Sequence, residues 1–270
     1  MLGWPLEYTL SPAIHNSAFR AVGLDWVYLR WPVRPESLKD AVSGLRALDA
    51  SGANVTMPHK ETIVELLDDL SDEARAIGAV NTVARIDQVL IGHNTDVTGF
   101  VRFLGGDAGW AAEGKQALVL GAGGAARAVV KALADLGTER LVISARRPER
   151  VADLVRIAKD ASSEASGSSW DEAAAAVART DLIVNTTPVG MGGEDLLPDA
   201  VFRRGQCVVD LVYRPPTTPF MARARRAGAD AWGGLGMLVH QAADSFRIWT
   251  AHEPPIEIMS AAAVRAIGHL

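Results

Sequence analysis

The feature that most constrains the fold is one segment near the middle of the chain, QALVLGAGGAARAVVKALADLG, residues 116–137. A short apolar run, then glycines, then a longer Ala-rich segment of helical period predict a strand, a tight turn and a helix. Gly121 permits the sharp turn, Gly123 lets the backbone approach a pyrophosphate, and Ala126 occupies the position of close helix packing. A phosphate would lie at the helix N-terminus, where free N–H groups favour an anion. We interpret the segment as the opening of a dinucleotide-binding fold; an ordinary strand-to-helix turn is the alternative for the glycines alone.

The rest of the chain alternates short β-branched runs with longer helical segments, which is typical of α/β proteins with a largely parallel sheet. At 270 residues the chain reaches the size at which one hydrophobic core stops growing. We therefore predict an α/β fold of two domains. A Rossmann-type, doubly wound domain is expected over residues 98–237, and an N-terminal α/β domain over residues 1–97, with C-terminal helices in 238–270 packing back on it.

Local signals predict the individual elements. Ser11 and Pro12 predict the N-cap and the first turn of a helix in SPAIHNSAFRAVG, and SDEARAIG reads as a short capped helix. Further strands are predicted at WVYLRW, GANVTM, NTVARI, QVLIGH, ERLVISAR, DLIVNTT and CVVDLVY, and further helices at PESLKDAVSGLRAL, VTGFVRFL, residues 235–252 and IEIMSAAAVRAIG. The stretches GGDAGWAAEG and ASSEASGSS are expected to be loops, the second a mobile one.

Composition excludes several classes of protein. Cys207 is the only cysteine, so no intrachain disulfide is possible, and we expect a core residue of a cytoplasmic protein. The formal net charge of −5 gives no basic footprint, and the run Arg223–Arg226 is interpreted as a solvated helix face. The histidines lack the spacing of metal ligands, so no metal site is expected. No signal leader is evident, and no run approaches the roughly 20 apolar residues that span a bilayer. We expect a monomer or homodimer that binds a small molecule, not nucleic acid or a membrane.

The choice of dinucleotide is predicted at the end of the second strand of the Rossmann-type domain, where NAD enzymes usually place an acidic residue. Here the sequence reads SARRPER, with Arg146 and Arg147 at the strand end and Arg150 a turn later. Guanidinium groups suit a 2′-phosphate, and no carboxylate stands there to repel it. The cofactor is therefore predicted to be NADP, the alternative being that the arginines only cover a helix start.

Two further motifs carry candidate acid–base chemistry. NVTMPHK ends at Lys60, one of five lysines in an arginine-rich chain, and GHNTD ends at Asp96. Lysine can exchange a proton whereas arginine stays charged, so a lysine near a carboxylate could protonate the alkoxide formed when a ketone is reduced. Taken in isolation, the residues favour a surface charge for Lys60 and a helix cap for Asp96.

The ordered blocks of the whole chain resemble one family. GWPLEYTLSPAIHN, NVTMPHK, GAVNT, GHNTD, GAGGAAR, NTTPVGM, VVDLVY and GLGMLVHQA are similar, in order and spacing, to the shikimate dehydrogenase family. The resemblance implies reversible, NADP-linked reduction of 3-dehydroshikimate to shikimate, on the pathway to chorismate and the aromatic amino acids.

The resemblance also implies roles for individual residues. Lys60 and Asp96 match the catalytic pair, and Thr9 and Ser11 match two hydroxyls that bind the substrate carboxylate. The other substrate-binding residues that it implies are Thr56, Asn81 and Gln241 on the ring hydroxyls and Tyr213 near the carboxylate. The cofactor-binding residues that it implies are Gly121, Ala122, Gly123, Gly124, Ala125, Arg146, Arg147, Arg150, Thr187, Val189, Gly234 and Met237. His59 and His240 flank these motifs and are expected to be structural.

Some positions depart from the family pattern. Only Met1 and Leu2 precede Gly3, where the family usually has an apolar strand, so we expect that strand to be missing and the Thr9–Ser11 loop to be loosely held. Thr9 stands where the family usually has serine, which keeps the hydroxyl but adds a methyl that could shift preference between shikimate and the bulkier quinate. Two alternatives remain: a quinate/shikimate dehydrogenase of relaxed substrate or cofactor choice, and a ligand sensor that has lost the chemistry.

Overall fold

A computed structural model describes residues 1–161 and 163–268. It divides into two compact units, one of Met1–Gly99 with the described residues from Leu238 onward, the other of Phe100–Met237. Each unit is an α/β structure with its own sheet, as the sequence predicts.

The first unit opens with β1 (Leu2–Gly3), α1 (Ser11–Ala21), β2 (Trp31–Pro32), α2 (Leu38–Ala47), β3 (Gly52–Asn54), β4 (Asp69–Leu70), α3 (Asp72–Ile77), β5 (Thr82–Ile86), β6 (Val89–His93) and α4 (Thr95–Arg102). Four strands form a sheet in the order β3-β5-β6-β4, in which the β5–β6 hairpin is the antiparallel pair predicted from NTVARI and QVLIGH. The predicted cap of α3 is confirmed, since the Ser71 hydroxyl accepts the N–H of Ala74 at 3.3 Å.

Two predictions in the first unit are wrong in detail. Ser11 is the first helical residue of α1 and Leu10 the N-cap, so the Ser11 hydroxyl does not cap the helix. WVYLRW is a strand only at its last residue, because the backbone N–H and carbonyl of Tyr28 bond the Asn16 side chain, at 2.7 and 3.0 Å. A side-chain amide thus takes the bonds that a neighbouring strand would make.

The expectation of a missing first strand is also corrected. β1 pairs in parallel with β2, and Leu2 makes a parallel bridge to Val55. Leu2 is 1% exposed and lies in the apolar cluster of this unit. The two residues of β1 therefore form strand pairing that anchors the chain before the Thr9–Ser11 loop.

The second unit contains β7 (Gln116–Leu120), α5 (Gly124–Asp135), β8 (Arg140–Ser144), α6 (Pro148–Asp160), β9 (Glu164–Ser168), α7 (Ala173–Val177), β10 (Leu182–Asn185), β11 (Cys207–Asp210), α8 (Pro219–Arg226) and β12 (Asp230–Gly233). Its six strands are all parallel in the order β12-β11-β10-β7-β8-β9. The strand order reverses direction at β7 and β10, which is the switch point of a doubly wound sheet. The predicted Rossmann-type fold is confirmed, and Cys207 is buried within it as expected.

Three predictions in the second unit need correction. Most of ASSEASGSS is not a mobile loop, because Glu164–Ser168 is the edge strand β9; Ser162 lies outside the described residues. GGDAGWAAEG begins inside a π-helical turn, Phe103–Asp107. Arg223 is not a solvated charge, since its guanidinium donates to the carbonyls of Leu196 and Leu197 at 2.8 and 2.7 Å.

Two helices complete the chain, α9 (Leu235–Thr250) and α10 (Ile256–Ile267). α10 packs against α1, and the Phe246 ring of α9 stacks on Phe19 of α1 with centroids 5.6 Å apart. The prediction that the C-terminal helices return to the first unit is confirmed.

Candidate active site

Lys60 and Asp96 form a partly buried ion pair in the first unit. Lys60 Nζ donates to Asp96 Oδ2 at 2.5 Å, and the two side chains are 17% and 7% exposed. The Lys60 carbonyl accepts the N–H of Val80, which holds the lysine beside the start of β5. Asp96 stands in the first turn of α4, where the helix dipole favours a carboxylate. Lys60 is therefore not an isolated surface charge, and Asp96 is more than a helix cap.

Asn81 joins this pair to the last part of the chain. Its Nδ2 donates to Asp96 Oδ1 at 2.9 Å and to Gln241 Oε1 at 3.3 Å, and Gln241 lies on α9. Its Oδ1 accepts the backbone N–H of Thr95 at 2.8 Å. A backbone N–H can only donate, so this contact fixes which end of the Asn81 amide faces Asp96. Four residues that the sequence singled out, Lys60, Asn81, Asp96 and Gln241, are thus brought together.

Four more polar side chains lie behind Asn81, and they were not among the predicted site residues. They are buried, and they belong to β3, β5, α4 and α9: Asn54, Thr82, Thr95 and Ser245. Asn54 Nδ2 lies 3.1 Å from the Thr82 hydroxyl and 3.0 Å from that of Ser245. Asn54, Thr82 and Thr95 stand inside the motifs NVTMPHK, GAVNT and GHNTD, which do not say which partner each side chain bonds. Ser245 lies outside the quoted motifs.

Thr9 and Ser11 lie together at the start of α1. Thr9 Oγ1 accepts the N–H of Ser11 at 3.2 Å, while Ser11 Oγ is buried without a hydrogen-bond partner among the described residues. Beneath them, His15 stacks on Tyr28 with ring centroids 4.5 Å apart, and burial lowers the pKa of His15 to about 3. The Ser11 hydroxyl therefore retains hydrogen-bonding capacity, whereas His15 is a neutral core residue.

The turn between β3 and Lys60 contains Thr56 and His59. Thr56 is half-buried, and its N–H donates to the Leu2 carbonyl at 2.9 Å. A ring nitrogen of His59 lies 2.7 Å from the Val33 carbonyl. His59 thus ties this turn to the segment after β2, which is the structural role expected of it.

In the second unit, the glycine turn has room for a ligand. Gly121 has a φ of +113°, and a Cβ there would meet the Thr186 hydroxyl, so a side chain is excluded. A Cβ on Gly123, by contrast, would find no protein atom within 4 Å. α5 begins at Gly124 with no side-chain cap and no acidic residue in its first turn. With Ala122 and Ala125, which are half-buried, the turn leaves N–H groups at a helix N-terminus for an anion.

The three arginines of SARRPER follow β8. Arg146 and Arg147 are exposed and Arg150 is half-buried, and Pro148 begins α6 directly after them. Two guanidinium groups therefore stand in solvent at the carboxyl end of the strand next to β7.

The remaining predicted cofactor residues follow β10 and β12. The Thr187 hydroxyl donates to Asn185 Oδ1 at 2.7 Å, and the N–H of Val189 bonds the same hydroxyl at 3.3 Å. A Cβ on Gly234 would meet the Leu211 carbonyl, and Met237 is buried. These contacts give a compact loop after β10 and a close backbone approach after β12.

Tyr213 and Asp210 lie around the end of β11. Burial raises the pKa of the Tyr213 phenol. Burial also raises the pKa of Asp210, although its carboxylate accepts the Thr218 hydroxyl at 2.7 Å and Asn185 Nδ2 at 2.8 Å. Tyr213 belongs to the second unit, unlike the other predicted substrate residues.

No group of three or more His, Cys, Asp or Glu side chains among the described residues is placed to hold a metal ion. No described helix combines the length and the hydropathy needed to cross a membrane.

Comparisons with known proteins cover nearly the whole chain. Residues 1–83 match the model of the shikimate dehydrogenase substrate binding domain, 107–190 that of shikimate / quinate 5-dehydrogenase, and 234–264 that of the shikimate 5′-dehydrogenase C-terminal domain. The chain is 48% identical over 263 residues to the shikimate dehydrogenase (NADP(+)) of Salinibacter ruber, covering 94% of this chain and 92% of that protein.

Solved structures of related dehydrogenases are also similar to this chain over nearly its whole length. Shikimate 5-dehydrogenase from Thermus thermophilus, in complex with NADP(H) and shikimate, is 37% identical with a TM-score of 0.87 and coverage of 98% and 97%. Quinate dehydrogenase from Corynebacterium glutamicum, in complex with NAD, is 31% identical with a TM-score of 0.88 and the same coverage of 98% and 97%. Three domain models and a relative of this identity over nearly the whole chain show that the chain belongs to the shikimate dehydrogenase family.

Proposed function

We propose that this protein catalyses the reversible, NADP-dependent reduction of 3-dehydroshikimate to shikimate, with Lys60 as the general acid and base paired with Asp96. The observation that carries the proposal is the 2.5 Å contact between Lys60 Nζ and Asp96 Oδ2, in a chain of this family. A lysine held this way presents a proton at a defined position, which is the requirement of general acid catalysis.

The reduction adds one hydride to the C3 carbonyl carbon and one proton to its oxygen. NADPH, when bound, supplies the hydride. Lys60 gives its proton to the oxygen as the alkoxide forms, and in the reverse direction neutral Lys60 accepts the proton from the hydroxyl. Asp96 orients Lys60 through Oδ2 while Asn81 Nδ2 holds Oδ1, so the carboxylate is bonded at both oxygens.

We propose residues 1–97 and 238–270 as the substrate-binding and catalytic domain, with one further contact from Tyr213. Ser11 Oγ is a buried hydroxyl without a partner among the described residues, and Thr9 lies beside it. Neutral hydroxyls can donate to a carboxylate without a salt bridge. We assign the carboxylate to Thr9 and Ser11, the ring hydroxyls to Thr56, Asn81 and Gln241, and a place near the carboxylate to Tyr213 of residues 98–237.

The cofactor is assigned to residues 98–237. The open space over Gly123 and the uncapped start of α5 suit a pyrophosphate, and a 2′-phosphate suits the arginines that follow β8. The residues present therefore fit NADP, with Arg146, Arg147 and Arg150 on the 2′-phosphate and the segments around Thr187 and Gly234 beside the nicotinamide.

A second candidate is a quinate/shikimate dehydrogenase of relaxed choice. It is supported by the likeness to the quinate dehydrogenase. A ligand sensor without catalysis is disfavoured, because Lys60 and Asp96 are both present and paired.

The test is turnover of the purified protein with shikimate and NADP, followed by the absorbance of reduced nicotinamide. Quinate replaces shikimate, and NAD replaces NADP, in parallel reactions. Turnover that is fastest with shikimate and NADP supports the proposal; equal rates with quinate support the second candidate. Binding of shikimate without turnover of any pair would favour the sensor.

A further inference from the structure

α9 approaches Asn81 with two polar side chains one helical turn apart. Gln241 accepts directly from Asn81 Nδ2 at 3.3 Å. Ser245, four residues later and fully buried, has no direct bond to Asn81; its hydroxyl lies 2.7 Å from that of Thr82 and 3.1 Å from that of Thr95. Residues four apart lie on the same face of a helix, so Gln241 and Ser245 approach Asn81 from a single face of α9.

The two threonines carry this contact to Asn81. The Thr82 hydroxyl donates to Asn81 Oδ1 at 3.0 Å, and the Thr95 hydroxyl lies 2.9 Å from Asn81 Nδ2. Asn81 in turn bonds Asp96 Oδ1 at 2.9 Å. Ser245 is thus two hydrogen bonds from Asn81 and three from the carboxylate that orients Lys60.

The direction of several of these bonds follows from their fixed partners. The backbone carbonyl of Asn81 can only accept, so Asn54 must turn its Nδ2 towards that oxygen, at 3.2 Å. Asn54 Oδ1 then accepts the Tyr28 hydroxyl at 2.6 Å. Asn54 Nδ2 therefore faces the hydroxyls of Thr82 and Ser245 as a donor, and with one N–H on the Asn81 backbone carbonyl it has one N–H left for these two hydroxyls.

The Ser245 hydroxyl can act as both a donor and an acceptor towards these side chains. Because the Thr82 proton goes to Asn81 Oδ1, the Ser245 hydroxyl is the donor in its 2.7 Å contact with Thr82, with the Gln241 carbonyl, 3.0 Å away and one turn back along α9, as the alternative acceptor. Its oxygen can accept from Asn54 Nδ2 and from the Thr95 hydroxyl. An alanine would remove a donor to Thr82 and an acceptor from Asn54 Nδ2 and the Thr95 hydroxyl in a buried place. The hydroxyls of Thr82 and Thr95, which bond Asn81, would then be held less firmly in their orientations.

We propose that Ser245 is a positioning residue for the reaction, holding the Asn81 amide, and through it Asp96 and Lys60, in the reactive arrangement by its hydrogen bonds to Thr82 and Thr95. The inference rests on the proposed function, because it concerns the rate of that reaction. It assigns a role to a residue that touches neither substrate nor cofactor.

The test is Ser245→Ala, assayed with shikimate and NADP beside wild type. We expect kcat to fall by about three- to tenfold, the effect of about one hydrogen bond, while KM for shikimate changes by less than about twofold. The matched control is Thr250→Val on the same helix. Thr250 makes a similar bond to the carbonyl four residues back, to Phe246 at 2.8 Å, and the other contact of its hydroxyl within the described part of the chain is with His252, outside the network, so kcat should not change.

A double-mutant cycle separates positioning from general stability. If Ser245 acts through Asn81, adding Ser245→Ala to Asn81→Ala causes little further loss of kcat, whereas a merely structural effect is the same in both backgrounds. Should Ser245→Ala fail to fold, Thr82→Val removes the partner hydroxyl at 2.7 Å and keeps the side-chain volume.

Wild-type turnover is measured first, which separates the two proposals. An inactive wild type would overturn the proposed function and this inference with it. An active wild type with an unchanged Ser245→Ala kcat, or with additive losses in the cycle, would overturn this inference alone.

Discussion

Replacing Lys60 by Met tests whether the ion pair with Asp96 performs the chemistry. The change keeps an extended side chain and removes the only group of the pair that can donate a proton. General acid–base groups contribute about 10²- to 10⁴-fold, so kcat should fall by that factor. KM for shikimate should change far less, because the interaction strengthens only as the alkoxide forms.

The same change should alter stability by an amount set by burial. Asp96 is 7% exposed and would keep the Asn81 donor on Oδ1 but lose its partner on Oδ2. Breaking a fully buried pair costs about 3–5 kcal/mol and breaking an exposed pair about 0–1 kcal/mol. The Lys60 side chain is 17% exposed, so the pair lies between these two cases, and we expect its loss to lower the free energy of unfolding by about 2 kcal/mol. That corresponds to a fall in Tm of about 4–8 °C for a domain of 150–250 residues.

Lys131→Met is the matched control. Lys131 also bonds a carboxylate at 2.5 Å, that of Asp135, but these side chains are 22% and 42% exposed and lie on the surface of α5. Steady-state kinetics and thermal unfolding of both variants are compared. We expect the control to retain wild-type kcat and to lose at most about 0.5 kcal/mol, as for other helix pairs four residues apart. Equal losses of kcat and of shikimate affinity in Lys60→Met, or a kcat near wild type, would refute the acid–base role.

Three further predictions follow from other parts of the structure. Gly121→Ala should lower Tm, because its φ of +113° and the Thr186 hydroxyl oppose a Cβ, whereas Gly123→Ala should keep Tm and weaken NADP binding; the reverse pattern in calorimetry would contradict the assignment of the turn. Arg146→Ala should weaken NADP binding by about 10- to 100-fold, the effect of a charged hydrogen bond, and leave NAD binding unchanged; equal losses for both would exclude a 2′-phosphate contact. Burial lowers the pKa of His15 from 6.5 to about 3, so the unfolded chain binds a proton below pH 6.5 that the folded chain refuses until about pH 3. Stability from this residue is therefore full above pH 6.5 and is lost towards pH 3, by up to about 1.4 kcal/mol per pH unit. In urea unfolding, His15→Phe should show a shallower loss of stability between pH 6.5 and pH 4 than wild type, and equal slopes would show that His15 is not the group.

The parts of the fold that the sequence predicts well are those whose signals are local. The strand, glycine turn and helix of 116–137 need only neighbours in sequence, and so does the Ser71 cap. β9 was missed because its Ser- and Gly-rich sequence has weak strand propensity, and it forms by pairing with β8 at the sheet edge. For Trp26–Arg30 the error is the opposite one, a strand predicted where none forms, because the Asn16 side chain bonds the backbone N–H and carbonyl of Tyr28.

In the candidate site, too, residues with a local signal can be predicted, and residues that depend on distant partners cannot. Lys60 and Asp96 could be named because their residue types suit the chemistry, and the family blocks located them. Ser245 could not, because its partners Asn54 and Thr82 are 191 and 163 residues away and its own type is common in helices. Polar networks assembled from distant elements leave no periodic pattern in a sequence.

The interruption of the first unit by the second has a consequence for the order of folding during synthesis. Residues 100–237 form one uninterrupted stretch and can complete their sheet as soon as it has left the ribosome. Asn54, Thr82 and Asn81 are made much earlier, yet their partners on α9 come after that stretch. Until α9 has been made, these side chains of the nascent first unit lack Gln241 and Ser245 as partners, so the Lys60–Asp96 pair acquires its final support only when the last two helices emerge.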